Sequence, residues 1–243
     1  MMRYTIRYVS LLAGMLTVFS SCEHKDLCFD HEAHAPKSDV HVKAVYEKEW
    51  EHTCEGGPDW EQYPAWESRF GMEYHELCPD APDGLRVQVY NEDGTNNILN
   101  VAPEGDIVRM RPGEHSLLLY NNDTEYIVFD DMNSFASAKA TTRTRTRASY
   151  GGNPYMENTV ENTVNAPDML YGNYMENYTA ERKIEADELP VTMHPLVFTY
   201  LVRYEFSHGL EYVALARGAL AGMAGAVWLN SGRTSGYSLS IIR

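Results

Sequence analysis

Residues 112–131 read PGEHSLLLYNNDTEYIVFDD. Pro112-Gly113 is a turn pair, with proline presetting φ and glycine accepting the positive φ that a reversal needs. Behind it, residues 115–121 (HSLLLYN) and 126–129 (YIVF) are apolar runs of strand length separated by a short polar stretch. Runs so short and so continuously apolar fit strands in the middle of a sheet rather than at its border.

Upstream, the same grammar repeats. Residues 107–110 and 98–101 are short apolar strands, and residues 85–90 (LRVQVY) alternate apolar and polar side chains before the turn Asn91-Glu92-Asp93-Gly94. Residues 40–46 (VHVKAVY) alternate in the same way, the period of a strand with one face buried. Turns recur about every ten residues with no convincing amphipathic helix between them. The expectation is an all-β fold with a β-sandwich over residues 38–132. Residues 47–83 interrupt it with Trp50, Trp60 and Trp66. They are too long for a hairpin and too aromatic for a disordered loop, and are expected to be a packed excursion with a short helix near residues 64–72. Trp60, Tyr63, Trp66 and Tyr74 are the candidate ligand-contact aromatics, as rings on which a sugar could stack; packing over a sandwich edge is the other use of such rings.

Downstream, residues 133–187 turn to Ala, Thr, Ser and Asn, with an Arg-Thr run from Arg143 to Arg147 and a YMEN echo at Tyr155 and Tyr174. They read as a connector. Apolar alternation resumes over residues 191–206, opening a second β unit over residues 188–243. There, Gly218 and Gly222 have the spacing of membrane helix dimers, but the segment is short and carries Arg217, so close packing of a strand or short helix is the expectation. A lone strand pair cannot bury its own apolar face. Either these strands join the first sandwich, or they begin a second one that looks incomplete.

The N-terminus addresses the chain. Arg3 and Arg7 precede an apolar stretch, residues 9–19 (VSLLAGMLTVF), then Ser20-Ser21-Cys22. Residues 1–21 therefore read as a secretory signal peptide. A cysteine after the small pair suits lipid attachment at Cys22, with acyl chains holding the protein at a membrane. Residues 22–37 follow as a polar tether. The formal charge of −15 argues against nucleic acid as a partner. Cys28, Cys54 and Cys78 remain after Cys22, and Cys54 with Cys78 is the more natural disulfide in an exported protein. His52, Cys54, His75 and Cys78 are the residues a zinc site would use, but they lack paired C-x-x-C spacing. No G-x-S-x-G, H-E-x-x-H, phosphate loop or dinucleotide fingerprint is present, so no catalytic residue, metal or cofactor is expected.

Residues 82–94 (PDGLRVQVYNEDG), 112–131, 166–172 (APDMLYG) and 216–229 (ARGALAGMAGAVWL), with Cys22 and its tether, resemble a Bacteroidales lipoprotein family of unknown function. That family is similar to the fimbrillin-like anchor and accessory proteins of type V pili. The resemblance implies transthyretin-like β-sandwiches on a lipid anchor at the outer membrane and cell surface. It also implies pilus subunits as partners and a role in adhesion by β-strand-mediated subunit binding. Binding of a glycan or host protein at the surface is the alternative, and a zinc-dependent enzyme is a weaker one.

Overall fold

The computed structural model describes residues 38–48, 65–145, 162–202, 204–214 and 218–241. The signal peptide, Cys22, Cys28, the tether, Cys54, Trp60 and Tyr63 lie outside the described residues.

The chain is all-β among these residues. The apolar run near residue 117 becomes β5 (Gly113–Asn121), which pairs antiparallel with β2 (Leu85–Asn91) from Leu85↔Asn121 to Asn91↔His115. The Asn91–Gly94 turn brings β3 (Asn96–Val101) back along the other side of β2. On the far side of β5 lies β9 (Tyr171–Ala180). A second set begins with β1 (Ser38–Tyr46), which pairs with β4 (Ile107–Met110) and, in parallel, with β10 (Asp187–Pro195). Among the described residues the two sets join where β9 meets β10, at His194↔Gly172 and Pro195↔Tyr171.

So thin a junction lets one seven-stranded sheet fold into two facing limbs, β4-β1-β10 and β9-β5-β2-β3. Their inner faces meet as the main core. Val40, Val42, Val108 and Met193 from the first limb pack with Val87, Leu117 and Leu119 of the second. Burying each such side chain stabilises the fold by roughly 1.5–3 kcal/mol before conformational entropy is set against it.

A second sheet takes the outer face of β2 and β5. It contains β6 (Ile127–Asp130), β7 (Lys139–Thr142), β8 (Asn162–Val164), β11 (Ala219–Trp228) and β12 (Thr234–Ile241), ordered β6-β7-β11-β12-β8. Thr144, just past β7, bridges to Val164 at the far edge, so the sheet curls back on itself. Leu118 and Tyr120 pack there with Ile127, Ala140 and Leu229. The reason for three consecutive leucines is now physical. Leu117 and Leu119 face one core, Leu118 the other, and a strand buried on both faces has no polar side to show.

The structure draws the sheets across the expected boundaries. β7, β8 and β9 lie in the stretch read as a connector, while β6 leaves the first sandwich for the second sheet. Sequence missed β9 (YGNYMENYTA) because only Tyr171, Gly172 and Ala180 are buried there, which leaves its middle polar. Residues 198–206 correct the reading in the other direction. Their alternation is clear, yet those of them that are described form no strand, and Tyr200 is 62% exposed. The Gly218–Gly222 segment enters β11, whose pairing with β12 slips between Leu220 and Met223.

The loop before β4 comes unusually close to β1. Val42 N donates to Asp106 O at 3.1 Å and Ala44 N to Glu104 O at 2.8 Å, which continues the β1–β4 pairing beyond the strand. Gly105 sits between these bonds at φ +100°, and a Cβ there would stand 2.0 Å from Val42 O. Only glycine fits.

Candidate functional site

Two features could act on something outside the chain: the sheet borders and one polar pocket.

β3 and β4 border the seven-stranded sheet, and neither has a further described strand on its outer side. A border strand presents a row of N–H and C=O groups that another extended chain can match. Ile98 of β3 is 52% exposed and Ile107 of β4 is 50% exposed, so each border carries an apolar side chain that an added strand would cover. The usual safeguards are sparse. β3 (NNILNV) contains no lysine, proline or charge. β4 contains Arg109, but its Nε donates to Asp39 Oδ1 at 2.8 Å on neighbouring β1. That exposed pair is a weak tie, screened by solvent and salt.

The pocket, about 360 Å³, lies where the β2–β3 turn, the start of β5, the middle of β9 and the loop after β6 converge. Asn91, Glu92, Glu114, His115, Phe135 and Glu176 line it. The turn is held by Asn91 Nδ2 donating to Thr95 Oγ1 at 2.9 Å and by Thr95 N donating to Asp93 Oδ1 at 2.9 Å. The Thr95 donors, and Arg111 after them, keep the Asp93 carboxyl below its usual range. Gln88 is buried on the second-sheet side of β2. Its Nε2 donates to Met132 O at 2.7 Å, and its Oε1 accepts from Tyr120 Oη at 3.1 Å.

His115 is 5% exposed, and its Nε2 donates to Arg111 O at 2.6 Å. A carbonyl can only accept, so Nε2 carries a proton. The ring's Nδ1 is buried without a hydrogen-bond partner, and so is Asn91 Oδ1. The two residues are direct cross-strand partners. A buried polar atom left without a partner costs about 1–3 kcal/mol.

The expected aromatic site is only partly within the described residues. Helix α1 (Trp66–Phe70) and a 3₁₀ turn (Tyr74–Leu77) bring Trp66 against Phe70, with ring centroids 4.4 Å apart, and against Tyr74 at 5.1 Å. These half-buried rings pack on one another. Cys78 is exposed, and its Sγ donates to Tyr74 O at 3.6 Å. His75 Nδ1 lies 3.0 Å from Glu73 Oε2. Among the described residues no cluster of His, Cys, Asp and Glu could hold a metal ion. Nothing local in the sequence pointed to the pocket, because its residues meet only through strand pairing.

A folded-over sandwich with open borders and a curled second sheet defines an all-β protein. Residues 64–242 match the family described as Domain of unknown function (DUF5119), and the chain belongs to that family. Over 175 residues it is 26% identical to a Bacteroides ovatus protein provisionally named fimbrium anchoring subunit Fim4B. That match covers 71% of this chain and 50% of the relative, so the chain spans about half the relative's length. The crystal structure of a provisionally named adhesin from Bacteroides ovatus is similar in fold, with a TM-score of 0.55 at 22% identity. It covers 86% of this chain and 63% of that one. The expected family of unknown function, similar to fimbrial anchor proteins, is therefore the one found.

Proposed function

We propose that this chain is a surface-anchored, fimbrillin-like subunit that secures a fimbrium to the cell by pairing a neighbour's strand with a sheet border. Lipid on Cys22 holds it to the outer membrane. The observation that carries the reading is the pair of borders, β3 and β4, each with a half-exposed isoleucine beside backbone groups that no described strand matches. Adding a strand there satisfies backbone hydrogen bonds and covers Ile98 or Ile107, so affinity comes from the main chain and selectivity from the side chains. Similarity to a named fimbrium anchoring subunit supports the same role.

The test isolates the protein from native membranes with its neighbours crosslinked, then measures intact mass and protease access on whole cells. A diacyl or triacyl mass on Cys22, loss of the domain on shaving, and a crosslinked fimbrial subunit are expected. An unmodified N-terminus, full protection from protease, or absence of any subunit adduct contradicts the reading.

A further inference from the structure

We propose that the partner's strand adds to β4 rather than to β3, and that its inward side chains close the main core over Leu99 and Val101 of β3. This assignment rests on the strand-pairing reading above and gives it an acceptor strand and a specificity.

The two limbs are unequal. Counted outward from the β9–β10 junction, β10 faces β9, β1 faces β5 and β4 faces β2, while β3 has no described strand opposite it. Burial follows that count. On β2, Leu85 and Val87 have no exposure. Their cross-strand neighbours on β3, Val101 and Leu99, pack against the same core yet are only partly buried. Directly opposed residues on one face of a sheet share their surroundings, so the drop marks where the covering limb ends. One strand set beside β4 at the ~4.8 Å ladder spacing makes the limbs equal, and it then lies across from β3 at the ~10 Å separation of packed sheets. A strand added to β3 instead would extend the overhang and leave Leu99 and Val101 uncovered.

The backbone of β4 suits that role. Val42 N donates to Asp106 O and Ala44 N to Glu104 O, and the pairs Val40↔Val108 and Ser38↔Met110 keep the same register. Antiparallel partners exchange bonds at every second residue, so Ile107 and Arg109 turn their backbone groups away from β1. Ile107 N donates to Asp106 Oδ1 at 2.7 Å, whereas the carbonyl of Ile107 and both backbone groups of Arg109 face the side where no described strand lies. The side chains of Val108 and Met110 already point inward and are buried. An added strand continues that layer. It must therefore be an extended segment with apolar, uncharged residues at alternate positions, two of which land on Leu99 and Val101. A charge at those positions would be buried without a partner.

The experiment places a benzophenone amino acid at Ile107 or at Ile98 of the full chain in fimbriated cells. A fimbrial-subunit adduct is expected from Ile107 and a much weaker one from Ile98. In the Ile107 crosslinker background, Leu99→Lys sets a charge where apolar side chains must land, and should cut the adduct at least about tenfold. Leu99→Met should keep it, and so should Ile98→Lys, because Ile98 is 52% exposed on the other face of β3. Melting temperatures identify any variant that fails to fold, and the comparison of Ile107 with Ile98 needs no Leu99 variant. A stronger adduct from Ile98 than from Ile107 overturns the assignment to β4 and leaves the strand-pairing reading standing. So does an Ile107 adduct indifferent to Leu99→Lys in a variant that keeps its melting temperature. No subunit adduct from either position overturns the strand-pairing reading itself.

Discussion

Replacing Gly105 with alanine tests how the β4 border is held. At φ +100° an L-residue is strained by about 1–3 kcal/mol wherever it sits. The new Cβ would also stand 2.0 Å from Val42 O and 2.8 Å from Val42 C, contacts that only a backbone shift can relieve. That shift removes Val42 N→Asp106 O and Ala44 N→Glu104 O, each worth about 0.5–1.5 kcal/mol. Together the loss is about 4 kcal/mol, or near 12 °C in melting temperature for a chain of this size. Gly94→Ala is the matched control, since Gly94 has φ +79° and a methyl group there would meet nothing within 4 Å. It bears strain alone and should fall by about 1 kcal/mol, or ~3 °C. Calorimetry with urea denaturation as a second probe reads both. Equal shifts for the two variants, or a Gly105→Ala shift within ~3 °C of the parent, would refute close approach of this loop to β1.

Three further outcomes follow. Asn121 is buried; its Nδ2 donates to Met169 O at 3.1 Å and its Oδ1 accepts from Tyr171 N at 2.7 Å. Asn121→Ala leaves both backbone groups without partners and should cost about 2–4 kcal/mol in urea denaturation. Burial pushes the Tyr46 hydroxyl up to about 12 and raises that of Tyr90. Folded pKa values above the unfolded ~10 mean stability that is complete below pH ~10 and lost as pH rises through the folded values. Ultraviolet titration should therefore show a tyrosine fraction that ionises only as the protein unfolds. If Cys54 and Cys78 are joined, as spacing and an exported setting suggest, thiol labelling should reach Cys78 only after reduction; labelling of the unreduced protein would show the pair is not bonded.

Much of the sandwich was legible because its strands obey simple periodicities. β4 matches the expected residues 107–110, and β1, β2 and β5 differ from expectation only at their ends. What sequence could not show is pairing across long separations. β1 runs parallel to β10 with Val40 opposite Asp187, and no local signal encodes that partnership. β9 was lost because its middle is only partly buried and carries Asn, Glu and Tyr. Residues 198–206 show the converse: alternation states what a segment could bury, not whether a partner is there. The pocket was hidden for the same reason as β9. Asn91 and His115 become neighbours only through the β2–β5 register, and Glu176 joins them only through a bulge.

The most direct measurement is site-specific photo-crosslinking in fimbriated cells from positions 98, 107 and 184. Ile98 and Ile107 stand on the two borders, whereas Ile184, also exposed, lies in the turn between β9 and β10. Strand pairing at a border should give an adduct with a fimbrial subunit from position 98 or 107 and none from 184. Adducts of equal yield from all three positions, or none from either border, would contradict subunit binding through the sheet edge.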